Sequence, residues 1–406
     1  MRPDTRDLPL RKATLSAILG VAIALLAVPL AGAQPAPKKE GFQTDAPNAI
    51  LIDADSGTVL FEKNADALFY PASMVKVMTT EVVFHAVQDG RIKLDDEFTI
   101  SENAWRRGGA PSRTSSMFAA LHSQVPVEDL LRGAIVQSGN DACIALAEGM
   151  AGNELAFAEM MTRRARELGL TNSTFTNSTG LHDPDMKMTA RELAKLSQHV
   201  VRTYPELYKI YGEPEFLWNK IKQPNRNPLL KMSIGADGLK TGFTKESGYG
   251  LVGSATQSGL RLIVVVAGLK TAKDREEESR KLLEWGFRGF ESRPLFAAGE
   301  TVGEAKLYGG EKGRVPLVSQ RPIRLLVPRT GSERITARVH YRGPVPVPVR
   351  QGQQIGMLKV SRGDSVVLEV PLEAGEDVGG GSLTQRAFDA MSELVINVFR
   401  AGVERL

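Results

Sequence analysis

Residues 234–267 limit the fold more than any other part of the chain. Ile234 to Thr241, Gly248 to Thr256 and Arg261 to Ala267 read as three strands, the last an unbroken Arg-Leu-Ile-Val-Val-Val-Ala run. The joints between them are short and hold turn residues, Lys245-Glu246-Ser247-Gly248 and Gly259. An earlier hairpin, Ala49–Phe61, is expected to join these strands in one antiparallel sheet. Helix signals surround it. Thr189-x-x-Glu192 forms a capping-box pattern ahead of Leu193, Leu196 and Val200. Glu154–Leu168 reads as a helix stopped by Gly169, and Asp274-x-x-Glu277 opens another that ends near Phe290. Residues 34–290 are therefore predicted to form an α/β domain, an antiparallel sheet flanked by helices.

Beyond Phe290 the pattern changes. Strand-like runs at Ile323–Val327, Ile335–Tyr341, Ile355–Val360 and Val366–Val370 alternate with Gly and Pro, so residues 291–378 read as a small β-sandwich-like domain. Pro344–Val349 is too proline-rich for a central strand. Gly379-Gly380-Gly381 then forms a joint before a tail, residues 379–406. In it Phe388, Met391, Leu394, Val395, Val398, Phe399, Val403 and Leu406 make an apolar helical face. At the other end Arg2, Arg6, Arg11 and Lys12 precede an uncharged stretch, Ala13 to Pro35, that includes Ala31-Gly32-Ala33. A basic segment, an apolar segment and a small-residue site make residues 1–33 a secretory signal peptide, with an uncleaved anchor helix as the alternative.

The formal net charge is +4, and the first 33 residues contribute +2 of it with four basic and two acidic side chains. The rest is near neutral, so the charge is no argument for a nucleic-acid partner. The one cysteine, Cys143, excludes an internal disulfide. It is either a small buried apolar residue or a reactive thiol beside Asn140. His85, His122, His182, His199 and His340 are scattered without zinc-ligand spacing, and no metal or organic cofactor is implied.

Three strings carry chemistry: Ser73-Met74-Val75-Lys76, Ser138-Gly139-Asn140 and Lys240-Thr241-Gly242. They supply a hydroxyl nucleophile, a lysine one turn away, a second hydroxyl with an amide, and a second lysine. That inventory serves acyl transfer through a serine ester without histidine. Ser73 is the only serine followed by Lys at the third position, and Lys240-Thr241-Gly242 is the only Lys-Thr-Gly; Ser-x-Asn also occurs at Ser101-Glu102-Asn103. Pro71 suits a helix start and places Ser73 in the first turn, where free N–H groups favour negative charge. Lys76 follows at i+3 on the same face, among apolar neighbours that would desolvate it and lower its pKa. Gly242 in an edge strand leaves room for a close approach.

With these motifs the chain resembles the low-molecular-mass penicillin-binding proteins that act as D-alanyl-D-alanine carboxypeptidases, the penicillin-binding protein 5-like serine peptidases. The likeness also covers Ala46–Lys63, Pro71–Thr80, Ser115–Phe118, Val136–Ala145, Asn172–Leu181, Asn225–Leu230, Asp237–Thr256 and Arg275–Phe290. It implies Ser73 as the acylated nucleophile, Lys76 as general base, Ser138 as proton relay, Asn140 on the substrate amide and Lys240 as positive potential. Thr241 and Gly242 would bind substrate, and the N–H groups of Ser73 and Phe243 would form the oxyanion hole. Arg226 and Arg275 match two cleft arginines, either of which could pair with the substrate carboxylate, Arg275 being favoured. Phe243 departs from the histidine of one relative.

The resemblance implies a periplasmic enzyme, attached peripherally to the outer face of the inner membrane through the C-terminal helix. It would remove the terminal D-alanine from peptidoglycan stem peptides ending in D-Ala-D-Ala, with β-lactams as covalent inhibitors. A tail packed on the β domain is the alternative to the membrane anchor. Endopeptidase action on cross-links stays open. A class A β-lactamase is disfavoured because residues 141–239 contain no Glu-x-x-Leu-Asn, and a non-catalytic penicillin-binding scaffold because every catalytic position is filled.

Overall fold

The structure is a computed structural model that describes residues 42–329, 334–362 and 365–387. The proposed leader, residues 1–33, lies outside the described residues. So does the apolar face of the tail from Phe388 onward, and the amphipathic C-terminal helix expected there is not supported. Among the described residues, no helix is long and apolar enough to cross a membrane.

The expected sheet forms with five antiparallel strands. These are β1 (Asn48–Asp53), β2 (Val59–Lys63), β3 (Ala236–Thr244), β4 (Gly248–Gln257) and β5 (Leu260–Leu269), in the order β2-β1-β5-β4-β3. The unbroken apolar run of β5 is explained by burial on both faces. Ile263, Val265 and Ala267 enter a core shared with the helical layer, whereas Leu262, Val264 and Val266 face a second core. Helix α5 (Ala272–Gly289) contributes Leu282 and Leu283 to that second core. Each such fully buried side chain contributes roughly 1.5–3 kcal/mol. The opposite layer holds α1 (Lys76–Gln88), α2 (Asn140–Ala151), α3 (Glu154–Glu167) and α4 (Ala190–Thr203).

Three local expectations change. Ser73 does not lie in the first α-helical turn. It sits in a 3-10 turn, Ala72–Val75, and α1 begins at Lys76. From Lys76 to Phe84 every residue of α1 is buried, so it is the central helix and its polar residues require internal partners. The cap of α5 is Thr271 rather than Asp274. The Thr271 hydroxyl accepts from the Asp274 N–H at 3.0 Å and the Asp274 carboxylate accepts from the Thr271 N–H at 3.1 Å. At α4 only half of the expected box forms. Thr189 caps Glu192, but the Glu192 carboxylate instead accepts from the Asn172 N–H at 2.8 Å and the Ser173 hydroxyl at 2.5 Å.

The strand Phe290–Phe296 follows directly on α5 and pairs with Ile323–Pro328. The other β strands of this region form a six-stranded sheet. Its order is Ile335–Tyr341, Gln354–Arg362, Ser365–Ala374, Arg314–Val318, Thr301–Tyr308 and Val345–Pro346. The proline-rich segment takes the edge, as its missing N–H groups require. Ile323, Leu325 and Val327 of the small sheet share one core with Leu307, Leu317, Leu358 and Leu372 of the large one.

Candidate active site

Met74 fixes where the reactive serine stands. Gly242 on β3 and Gly250 on β4 are direct register partners. A Cβ on Gly242 would lie 2.9 Å from the Pro71 carbonyl oxygen, and one on Gly250 would lie 2.5 Å from Met74 Cε. Two facing glycines thus leave the hollow into which the 3-10 turn settles. From the other side Gly180, at φ +79°, approaches so closely that a Cβ would meet the Ala72 carbonyl oxygen at 2.1 Å. Ala72 itself takes φ +47°, an uncommon conformation for a residue with a Cβ. The turn before the nucleophile is therefore held from both sides.

Lys76 is 1% exposed. Its Nζ donates to Ser73 Oγ at 3.1 Å, Asn140 Oδ1 at 2.7 Å and the Thr179 carbonyl at 2.5 Å. None of these partners is ionised. Burial lowers the Lys76 pKa to about 8, and the positive charge of Arg226 adds to that effect while Asp141 and Glu154 oppose it. An amine of that pKa, bonded to a hydroxyl, can accept its proton near neutral pH. Side chains three apart eclipse in a 3-10 turn, which is why Ser73 and Lys76 meet.

Asn140 is fixed at both ends. Its Nδ2 donates to Thr114 Oγ1 at 3.0 Å, and its backbone N–H donates to the Ser115 carbonyl at 2.8 Å. Ser138 is buried at φ +66°, and its hydroxyl has no hydrogen-bond partner among the described residues. A buried idle hydroxyl two residues from a lysine ligand is available to move a proton. Gly139 has no room for a side chain: a Cβ would meet Asp141 Oδ1 and the Met117 nitrogen at 2.9 Å each. Asp141 fills that space structurally, accepting from Ser116, Met117, Ala119 and Ala142.

Lys240 is buried on β3, and its Nζ donates to the Thr241 carbonyl at 3.1 Å. Burial, with the charges of Lys76, Arg226 and Arg275, holds its pKa well below the usual lysine value. Among the described residues no carboxylate forms an ion pair with Lys76, Lys240, Arg226 or Arg275. Arg226 donates to Ser115 Oγ at 2.8 Å, which ties it to the Thr114–Asn140 side of the cleft. Arg275 lies over the Tyr249 ring, and its buried Nε is unpartnered. Burial disfavours the charged form of all four groups, and at Lys76 and Lys240 the neighbouring positive charges add to it, so the positive charge here lacks a local counter-ion and suits an anionic ligand. The Ser73 N–H has no backbone acceptor among the described residues, and β3 is an edge strand, so every second N–H along it faces away from the sheet. Of the sequence-derived set, Ser73, Lys76 and Asn140 are thus in direct contact, and Lys240, Arg226 and Arg275 lie near enough for their charges to be felt at Lys240 or Lys76.

Thr179 and Gly180 were not foreseen as site residues. Asn177 Oδ1 shapes their loop by accepting from the N–H groups of Thr179 at 3.1 Å and Gly180 at 2.8 Å. A backbone carbonyl on Lys76 leaves no side-chain signal. The Asn177-Ser178-Thr179-Gly180 turn pattern was the only available clue. Cys143 is fully buried in the core shared with the helical layer, the place of a packing residue, and burial pushes its thiol up to about 11.

The family model for D-alanyl-D-alanine carboxypeptidase matches residues 33–271, and that for the penicillin-binding protein 5 C-terminal domain matches residues 290–379. The chain is 41% identical over 360 residues to D-alanyl-D-alanine carboxypeptidase DacA of Haemophilus influenzae, covering 88% of this chain and 91% of that protein. It is 41% identical over 353 residues to DacC of Escherichia coli, covering 86% and 88%. The crystal structure of penicillin binding protein 5 from Haemophilus influenzae is similar with a TM-score of 0.75 and 42% identity, over 84% of this chain and 99% of that one. Penicillin-binding protein D2 of Listeria monocytogenes in its ampicillin-bound form is similar with a TM-score of 0.55 and 30% identity, over 61% and 100%.

Proposed function

This chain belongs to the D-alanyl-D-alanine carboxypeptidase family, and from that premise we propose how its cleft acts as a serine D-Ala-D-Ala carboxypeptidase. The substrate is a peptidoglycan stem pentapeptide whose terminal carboxylate enters the cation-rich end of the cleft. Neutral Lys76 takes the Ser73 proton as Oγ attacks the penultimate D-Ala carbonyl carbon. The Ser73 and Phe243 N–H groups hold the oxyanion, a contribution of roughly 3–4 kcal/mol for such a donor. Asn140 holds the substrate amide, with Thr241 and Gly242 lining it. The peptide C–N bond breaks as Lys76, through Ser138, delivers a proton to the leaving nitrogen. D-alanine departs and the acyl group stays on Ser73. Lys76 then deprotonates a water that attacks the ester, and Ser73 Oγ leaves with a proton. Arg275, helped by Arg226 and Lys240, holds the carboxylate.

The observation that carries this reading is Lys76: a fully buried amine bonded to Ser73 Oγ, with no carboxylate partner and a pKa lowered to about 8. β-Lactams, bound by a relative as ampicillin, are expected to acylate the same serine. Ser73→Ala should abolish both D-alanine release from a defined pentapeptide and covalent labelling by penicillin. Persistence of either in the folded variant sinks the assignment.

Export and surface attachment belong to the same proposal and rest on sequence pattern alone: the basic–apolar leader and the apolar face of the tail. With residues 384–406 removed, the enzyme should leave the membrane fraction. A truncated enzyme that still pellets removes the tail as anchor.

A further inference from the structure

Phe243 is 51% exposed, an unusual place for a large apolar ring, and it stands directly after Gly242 at the cleft. Its cross-strand register partner is Tyr249, so both rings rise from one face of the β3–β4 hairpin. Their centroids are 4.1 Å apart with planes 27° from parallel. On Tyr249 lies Arg275, with Cζ 5.6 Å from the ring centroid, within cation–π range. Arg275 is anchored from behind by the start of α5, where the Thr271–Asp274 capping box fixes the first turn and the Arg275 N–H donates to the Thr271 carbonyl at 3.1 Å. Its side chain has no ion-pair partner among the described residues, and its buried Nε has no hydrogen-bond partner. A guanidinium without a counter-ion normally swings into water, because nothing but entropy selects one rotamer. Here an aromatic platform selects one.

We propose that Tyr249 and Phe243 are positioning residues which hold the Arg275 guanidinium where it receives the C-terminal carboxylate of the substrate. This rests on the carboxypeptidase reading above. Phe243 pins the Tyr249 ring from one side, and that ring supports Arg275. A ring at position 243 serves this purpose whatever its hydrogen-bonding capacity. The backbone N–H of Phe243 is a separate matter and keeps its place in the oxyanion hole. The platform acts on binding of the free carboxylate and leaves the chemistry at Ser73 untouched.

The test compares a peptide ending in D-Ala-D-Ala with its C-terminal amide, which lacks the carboxylate. Tyr249→Leu should raise KM for the free acid about 3- to 10-fold with kcat within about twofold, and should change neither constant appreciably for the amide. Tyr249→Phe, which keeps the ring, should behave as the unsubstituted enzyme. Phe243→Leu should give a smaller loss in the same direction. Adding Tyr249→Leu to Arg275→Leu should cost nothing further, because the platform acts only through that arginine. Equal losses on acid and amide, a loss confined to kcat, or full additivity with Arg275→Leu overturns the inference. Acylation rates with a penicillin and its methyl ester provide the same contrast without turnover. An unsubstituted chain that is acylated but releases no D-alanine sinks the carboxypeptidase reading, and the penicillin contrast still decides the platform. A chain that does neither overturns both.

Discussion

Lys76 and Glu81 lie five residues apart on one buried helix and solve the same problem in opposite ways. Glu81 is fully buried, and its Oε1 accepts from Arg164 Nε at 3.0 Å, His199 Nε2 at 3.2 Å and Tyr204 OH at 3.1 Å. Burial opposes its ionisation, but the bonds from His199 and Arg164 outweigh it and hold the carboxyl below its ordinary value. Lys76 is equally buried and has only neutral partners, a hydroxyl, an amide and a carbonyl. One charge is compensated and the other is discouraged. Compensation makes Glu81 a structural joint between α1, α3 and α4. Discouragement leaves Lys76 an amine that a nearby hydroxyl can protonate.

Removing Lys76 should have the largest effect. Lys76→Met takes away the general base, and acylation by penicillin should fall by about 10³-fold or more. Its stability effect should run the other way. The folded pKa near 8 lies below the ordinary 10.5, so the folded state binds this proton less well than the unfolded chain does. The resulting penalty is complete below pH 8 and fades as pH rises towards 10.5. Replacing the lysine should therefore stabilise the protein at neutral pH, by up to about 3 kcal/mol. An inactive variant with an unchanged or lower melting temperature would break the contrast drawn here.

Glu81→Gln should do the reverse. It strands Arg164 in a partly buried site, and breaking such a pair costs about 3–5 kcal/mol where burial is complete and less here, since Arg164 is 16% exposed. The melting temperature should drop, while the acylation rate per folded molecule at moderate temperature stays near normal. Acid should erase the difference. Because the folded carboxyl is held below 4.5, its contribution is present above that value and is lost as pH falls through the lower folded pKa. Urea titrations of both proteins at neutral and acid pH check this directly.

Much of this contrast was legible in the sequence on one side only. Ser73, Lys76, Ser138, Asn140 and Lys240 could be chosen because nucleophile, base and relay are residue types at fixed spacing. Glu81 and His199 could not, since ion pairs between α1, α3 and α4 depend on helix packing that no short motif encodes. The same limit hid Thr179, which acts through its carbonyl, and Gly250, whose meaning depends on lying opposite Gly242. The sheet was readable because β5 is apolar on both faces. Thr301–Tyr308 was not: it buries only Ala305 and Leu307, and although exposed Glu304 and Lys306 alternate with them, so short an alternation is a weak strand signal. Asp274-x-x-Glu277 satisfied a helix-start pattern, but an equally good one began three residues earlier at Thr271.

The smallest predicted effect probes how far the Lys76 arrangement depends on its neighbours. With Lys76 near pKa 8, acylation should climb about tenfold per pH unit below that value and level off above it. Arg226 contributes a positive charge that helps keep the amine neutral, while its own guanidinium rests on Ser115 Oγ at 2.8 Å. Arg226→Gln removes the charge and keeps a donor for Ser115. The proton should then bind Lys76 more tightly, so the rising limb moves to higher pH, with the plateau rate at alkaline pH largely preserved. An acylating ester without a carboxylate is the right probe, because it separates this electrostatic role from any part of Arg226 in holding the substrate. The Glu81 cluster supplies the control: its acid-limb stability should be unchanged in the same variant, since its charges are matched locally. If the limb stays in place, burial alone sets the Lys76 pKa and the neighbouring cations serve only the ligand.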